Sequence, residues 1–328
     1  MPVVLGRKFL GDIHMSAAFV FPGQGSQAVG MGKALAERFP VARQVFDEVD
    51  EALADKLSVV MWEGPAEAVT LTENAQPALV AVSMAAMRVL EAETGVDLAR
   101  DAKFVAGHSV GEYAALAAAG SLSIGDAVRL VRIRGRAMQR AVPVGMGAMA
   151  ALLGVDFGQA AAIAAEAAQG ELVQAANDNG GGQVVVSGHK AAVERAVEIA
   201  KAKGVRRAML LPVSAPFHSA LMQPAAEVMA DALAKVTIGA PVVPLVANVT
   251  AEPVTDPAQI RRGLVEQVTG TVRWRESVAF MASAGVNVFY EVGSGKVLSG
   301  LVKRIAEGAN GVSIGTPDDV AAFKAARG

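Results

Sequence analysis

The chain has 328 residues, 52% of them hydrophobic, with a formal net charge of −2 and no cysteine. That length and apolarity suffice to bury a full core, as one large domain or as a large and a small one. The near-neutral charge provides no global basic field for nucleic acid, and the lack of cysteine excludes disulfides, thiolate metal sites and a cysteine nucleophile.

Residues 1–14 read as an N-terminal extension with no assigned function, and Met15 as an alternative start. No apolar stretch with a cleavage site follows the first residues, and the opening eight are too short for a transit peptide. Residues 17–21, Ala-Ala-Phe-Val-Phe, predict a first strand ending at Pro22-Gly23. Residues 40–57 and 76–94 carry apolar residues at helical spacing. The nearly uncharged run 75–87 ends at Arg88, short of the roughly 20 residues a membrane span needs. Residues 103–106 predict a short strand, followed by a turn and a helix that Gly120 stops; Ser123 then caps a helix running to about Gln139.

From 142 to 212 the texture changes. A strand at 148–153, an Ala/Glu-rich helix, a strand at 183–187, a helix at 190–203 and a strand at 207–211 predict a small α+β subdomain of ferredoxin-like type, inserted in a larger unit. The larger texture then returns: a helix after Met222, a strand at 242–246, a helix near 274–284, a strand at 286–292 and a final helix. The expectation is an α/β fold. Residues 15–141 and 213–328 form a large α/β-hydrolase-like domain with a mainly parallel sheet, and 142–212 form the small one.

The turn Gly107-His108-Ser109-Val110-Gly111 has the Gly-x-Ser-x-Gly form of a nucleophile elbow between strand and helix. Its glycines let the backbone close, the serine oxygen projects, and the N–H of Val110 at the helix start can hold an oxyanion. The serine needs a base, and there are four histidines. His14 lies in the extension, His108 adjoins the serine on the turn and reads as structural, and His189 reads as a helix-entry residue. His218, in the loop Ser214-Ala215-Pro216-Phe217-His218-Ser219, is the choice of base. The third member stays open. Asp126, Asp156 and Asp178 are available but none follows a strand as an esterase acid would; a carbonyl or amide could orient the imidazole instead.

Pro22-Gly23-Gln24-Gly25-Ser26-Gln27-Ala28 matches a relaxed dinucleotide fingerprint, but Asp47 and Glu48 lie in a helical pattern rather than closing a second strand. The other use of this segment is to bring Gln24 close to a reacting carbonyl. Gly293-Ser294-Gly295-Lys296 fails as a phosphate loop because Tyr290 and Val297 stand at required positions, and it reads as a strand-to-helix turn. Arg129, Arg132, Arg134, Arg136 and Arg140 read mostly as a solvated basic face; Arg134, beside Gly135 and one turn before Met138, has the position to hold a carboxylate in a bidentate fork.

Six segments occur in compatible order: Phe21-Pro22-Gly23-Gln24-Gly25-Ser26-Gln27, Gln76-Pro77-Ala78-Leu79, Gly107 to Tyr113, Arg134 to Gln139, Pro212 to Ser219, and Glu291-Val292-Gly293. Together they resemble the malonyl-CoA:acyl-carrier-protein transacylases of fatty acid synthesis and the related acyltransferase domains of polyketide synthases, from about Ala17 to beyond Leu301. The resemblance implies a malonyl ester on Ser109, His218 as base and then acid, an oxyanion hole from the N–H groups of Gln24 and Val110, and Arg134 clamping the free carboxylate. It implies that the Gln267 carbonyl orients His218, and that Gln76, His108, Met138, Asn177, Asn179 and Phe217 contact substrate, Phe217 matching the malonyl rather than the methylmalonyl pattern. Malonyl-CoA would be a substrate, with no permanently bound cofactor and no metal. The implied partner is an acidic holo acyl carrier protein met by Arg206 and Arg207, with neither nucleic acid nor membrane involved. The size suits a cytoplasmic monomer. A standalone polyketide acyltransferase shares every motif; a serine thioesterase or esterase would share Ser109 and His218 but end on water.

Overall fold

A computed structural model describes residues 17–213 and 215–327; the extension 1–14, with His14, and Met15 and Ser214 lie outside the described residues. Among the described residues ten strands run in chain order: β1 Ala17–Phe21, β2 Phe104–Gly107, β3 Gly147–Leu153, β4 Val173–Gly180, β5 Gln183–His189, β6 Arg207–Leu210, β7 Leu245–Val246, β8 Pro253–Val254, β9 Val288–Val292 and β10 Asn310–Ile314.

Six of them form one sheet in the order β10-β9-β1-β2-β7-β8, parallel except for β8. All five residues of β1 are buried, as a strand covered on both faces requires. Alternation divides it: Phe19 and Phe21 enter one core with Leu79, Val110, Leu116, Val128 and Met229, while Ala18 and Val20 enter the other with Trp274, Val278, Leu298 and Leu301. The helices Thr72–Thr94, Gly111–Ala118 and Ile124–Ala141 therefore cover one face, and Trp274–Ser283 and Val297–Ile305 the other. Among the described residues no helix is long and apolar enough to cross a membrane.

The remaining strands form an antiparallel sheet in the order β4-β5-β3-β6, backed by the helices Phe157–Ala168 and Lys190–Ala202 around a separate core of Leu152, Ile163, Val184, Val186, Val193 and Val197. Two register shifts kink β4, at Ala175/Asn177 and Asp178/Gly180. There it ties to the larger sheet's side: the N–H of Asp178 donates to the Val272 carbonyl at 2.9 Å and the N–H of Val272 to the Ala176 carbonyl at 2.9 Å.

Several boundaries differ from expectation. Strand 242–246 shrinks to two residues, because Pro241 and Pro244 have no N–H for a ladder. Segment 286–292 pairs only from Val288. The expected helix 40–57 breaks at Ala54, in left-handed backbone at φ 48°, into Pro40–Leu53 and Leu57–Glu63. β4, β10 and the helices Pro257–Glu266 and Pro317–Arg327 add to the expected elements. Arg132 does not belong to a solvated face: it is 7% exposed, with Nη1 donating to Asn74 Oδ1 at 2.9 Å and Nη2 to Asp55 Oδ2 at 3.2 Å.

Candidate active site

β2 ends at Gly107 and a helix begins at Gly111, leaving three residues to reverse the chain. A Cβ on Gly107 would stand 2.0 Å from the Gly111 carbonyl oxygen, and one on Gly111 would stand 2.2 Å from that of Phe21; no side chain fits at either position. The tightness puts Ser109 in left-handed backbone at φ 52°, a strained conformation for a residue with a Cβ. Asn248, just past β7, straps the turn: its Oδ1 accepts from the Ser109 N–H at 2.7 Å and its Nδ2 donates to the Gly107 carbonyl at 2.7 Å. A Cβ on Gly23 would meet the His108 carbonyl at 2.5 Å, so its bare backbone lets the segment bearing Gln24 lie against the same turn. Neither the Gln24 nor the Val110 N–H has a protein acceptor among the described residues, which leaves both as donors.

Ser109 Oγ lies 2.7 Å from His218 Nε2. On the far side of the ring Nδ1 is 2.9 Å from the Gln267 carbonyl. A carbonyl only accepts, so the ring proton sits on Nδ1 and Nε2 presents its lone pair to the serine hydroxyl. Burial, and then the nearby Arg134 charge, push the His218 pKa down to about 3, so the imidazole is neutral. His218 also has positive φ, 55°. Its loop is braced by Ser219 Oγ, which donates to the Pro216 carbonyl at 2.7 Å, and by Gln174 of β4, whose Oε1 accepts from the Ala220 N–H at 3.1 Å.

Arg134 is 1% exposed. Gly135 beside it packs against the chain at Thr72 and Glu73, where a Cβ would come within 2.7 Å of the Thr72 carbonyl; the helix thus seats closely and turns Arg134 inward. Nη1 donates to Gln76 Oε1 at 2.9 Å, and Nη2 to both Gln267 Oε1 at 2.8 Å and Ser109 Oγ at 3.1 Å. Nε is buried without an acceptor among the described residues. Gln76 is held in turn by Met138, whose Sδ accepts from Nε2 at 3.7 Å.

Gln267 joins these parts. Besides receiving His218 and Arg134, its Nε2 donates to the Ser109 carbonyl at 2.9 Å and to Glu112 Oε2 at 2.6 Å. Burial pushes the Glu112 carboxyl up to about 7, against the lowering effect of Gln267, the Asn248 N–H and Arg134.

Ser109, His218, Arg134, Gln76, Met138 and Gln267 thus meet in one linked cluster. His108 and Asn179 pair beside it, Nε2 to Oδ1, at 2.8 Å, and burial lowers the His108 pKa. Asn177 and Phe217 are buried with no polar contact to the cluster; Asn177 bridges to Val272, and Phe217 belongs to the main core. Arg206 and Arg207 are exposed at β6, an edge strand, apart from the cluster. The three aspartates are engaged elsewhere: Asp126 with Ser123 and Arg129, Asp156 as a helix cap, Asp178 with Arg275. His189 ends β5, its Nδ1 accepting from the Leu172 N–H at 2.9 Å. Asn248, Glu112 and Gln174 had no expected role. Glu112 carried a signal, being a carboxylate inside the apolar helix that follows the elbow. Among the described residues no group of three or more His, Asp or Glu side chains could hold a metal ion.

The acyl transferase domain family matches residues 18–316. The malonyl CoA-acyl carrier protein transacylase of Escherichia coli K12 is 48% identical over 305 residues, 93% of this chain and 97% of that protein. The crystal structure of an acyl-carrier-protein-S-malonyltransferase from Bartonella henselae superposes with a TM-score of 0.93 at 56% identity, covering 95% of this chain and 99% of the other. A malonyl-transacylase in complex with a type II polyketide-synthase acyl-carrier protein superposes at 0.91 with 41% identity, covering 95% and 99%.

Proposed function

This chain belongs to the acyl transferase domain family, and we propose that it moves the malonyl group of malonyl-CoA to the phosphopantetheine thiol of acyl carrier protein, supplying extender units for fatty acid synthesis. The observation that carries this reading is the buried Arg134 guanidinium 3.1 Å from the nucleophile oxygen, with an unpartnered Nε. An esterase of neutral acyl groups has no use for a fixed cation there; a free carboxylate two bonds from the reacting carbonyl does.

In the first half-reaction Ser109 Oγ passes its proton to His218 Nε2 and attacks the thioester carbonyl. The N–H groups of Gln24 and Val110 hold the oxyanion. Collapse breaks the C–S bond, and the CoA sulfur leaves with the proton from His218. In the second half the phosphopantetheine thiol gives its proton to His218, its sulfur attacks the ester, and Ser109 Oγ departs and recovers the proton. The Gln267 carbonyl stabilises the imidazolium in both halves, the role an aspartate fills in hydrolases. Arg134 pairs with the malonyl carboxylate, steadied by Gln76 and Met138, while His108, Asn177, Asn179 and Phe217 shape the acyl and pantetheine path. Arg206 and Arg207 offer cations to an acidic carrier.

The βαββαβ order of the small sheet supports a ferredoxin-like subdomain over 142–212, and the strand–elbow–helix arrangement a hydrolase-like large domain over 15–141 and 213–328. We read the protein as a cytoplasmic monomer with no resident cofactor. The likeness to the polyketide-carrier complex favours one alternative acceptor, a polyketide carrier, with the same chemistry. Incubation with malonyl-CoA and holo acyl carrier protein, followed by intact mass measurement, tests the reading. Malonyl on Ser109 and on the carrier is expected; free malonate with an unmodified carrier would make the protein a thioesterase.

A further inference from the structure

Arg134 is a buried cation that must be stabilised whether or not a substrate carboxylate is present. An isolated buried charge is costly, and natural sites pair it. In the free protein three of its contacts are neutral: Gln76, Gln267 and the Ser109 hydroxyl. Glu112 is the carboxylate that acts on it, one amide away, since Gln267 takes Arg134 Nη2 on Oε1 and gives Nε2 to Glu112 Oε2. The Glu112 carboxylate also accepts from the Asn248 N–H at 3.4 Å and is 2% exposed. The other titratable groups near the pair are Tyr113 on the same helix, whose phenol burial pushes up, and His218 and His108, both lowered toward neutrality. Glu112 takes no part in the transfer steps above.

We propose that Glu112 is the resident counter-charge of Arg134, and that arrival of the malonyl carboxylate at this guanidinium shifts Glu112 toward its protonated form, with the proton drawn from solvent. Two carboxylates then compete for one buried cation, and the one without direct contact gives up its charge. Its existing position near pH 7 makes the exchange feasible under ordinary conditions. Loading shifts the balance: Glu112 is about half ionised at pH 7 when the site is empty, and largely neutral when the malonyl carboxylate pairs with Arg134. A neutral acyl group such as acetyl calls for no such protonation.

The inference rests on the proposed malonyl-Ser109 ester, and the test separates the two. Acylation itself only relays the serine proton through His218 to the CoA thiol, so at pH 7 any net uptake has another source. Wild-type protein is acylated with malonyl-CoA or acetyl-CoA in weakly buffered solution with a pH indicator, and the adduct is weighed. A group half protonated at pH 7 whose pKa rises one unit takes up roughly 0.4 proton, so uptake of that order per malonyl adduct is expected, and none per acetyl adduct. Glu112→Gln should form the malonyl adduct without uptake. Difference infrared spectra of the wild type should show a protonated-carboxyl band on malonylation and not on acetylation, a readout that needs no variant. A malonyl adduct without proton uptake, or equal uptake in Glu112→Gln, overturns the inference alone. Absence of any adduct overturns the proposed function as well.

Discussion

Ser109 and His218 stand 109 residues apart, and each holds left-handed backbone, at φ 52° and 55°, where Oγ and Nε2 meet at 2.7 Å. Strain at both partners of one contact means that neither is placed by local preference; the surrounding hydrogen bonds hold them. Ser109→Ala should abolish both the malonyl adduct and carrier loading. His218→Ala should keep the nucleophile but slow acylation by about 10²–10⁴-fold. Rapid-quench measurement of adduct formation checks both.

Arg134→Ala should lower malonyl transfer by about 10–100-fold, the worth of one charge-assisted contact of about 1.5–3 kcal/mol, while acetyl transfer changes far less. Comparing kcat/KM for the two thioesters is decisive, and equal losses would remove the carboxylate role from Arg134.

Asn248→Ala strips partners from two backbone groups at once, the Ser109 N–H and the Gly107 carbonyl. Each unpaired buried group costs about 1–3 kcal/mol. A clear fall in Tm together with a fall in kcat is expected, measured by thermal melting and carrier loading, because the same two bonds hold the turn that presents the nucleophile.

His218 is lowered from the ordinary histidine value to about 3, and in the proposed mechanism the neutral ring is the active form. The base is therefore lost only as pH falls toward that folded value, not through 6.5. The acid limb of kcat/KM, which reports the free enzyme, should lie well below pH 6.5. Burial is the first cause and the Arg134 charge the second, so Arg134→Ala should move the limb upward. A wild-type limb at or above 6.5 would mean that the ring is solvated in the working enzyme.

How much of this was legible in the sequence depended on whether a side chain carried the signal. Ser109 announced itself through two glycines that the turn cannot do without, and His218 by being one of few histidines in a loop. The orienter of His218 is a backbone carbonyl, which leaves no mark on residue type; the aspartates left a carbonyl or an amide open, and only the family resemblance pointed to Gln267. β4 was missed because Asn177-Asp178-Asn179 and its two bulges break the alternation of a strand. β10 was missed because its short run of Asn310, Gly311 and Ser313 lies at the sheet edge with little apolar content. Arg134 was set apart in the sequence by Gly135 and Met138, whereas Arg132 carried no such mark and only packing shows it buried against Asp55 and Asn74.

The nucleophile turn is complete only when Gln267, 158 residues downstream, donates to the Ser109 carbonyl. Between them the chain makes an entire second sheet, β3 to β6, with its own core. At ribosomal rates of about 5–20 residues per second, on the order of 10–30 s separate the emergence of the two residues. Arg134 follows Ser109 by only 25 residues, but the base His218 comes 109 residues after it and the strap Asn248 139 residues after it. On the proposed mechanism the full relay of Ser109, His218 and the Gln267 carbonyl exists only once residue 267 of 328 has been made, and a product truncated before it lacks the group that orients the base.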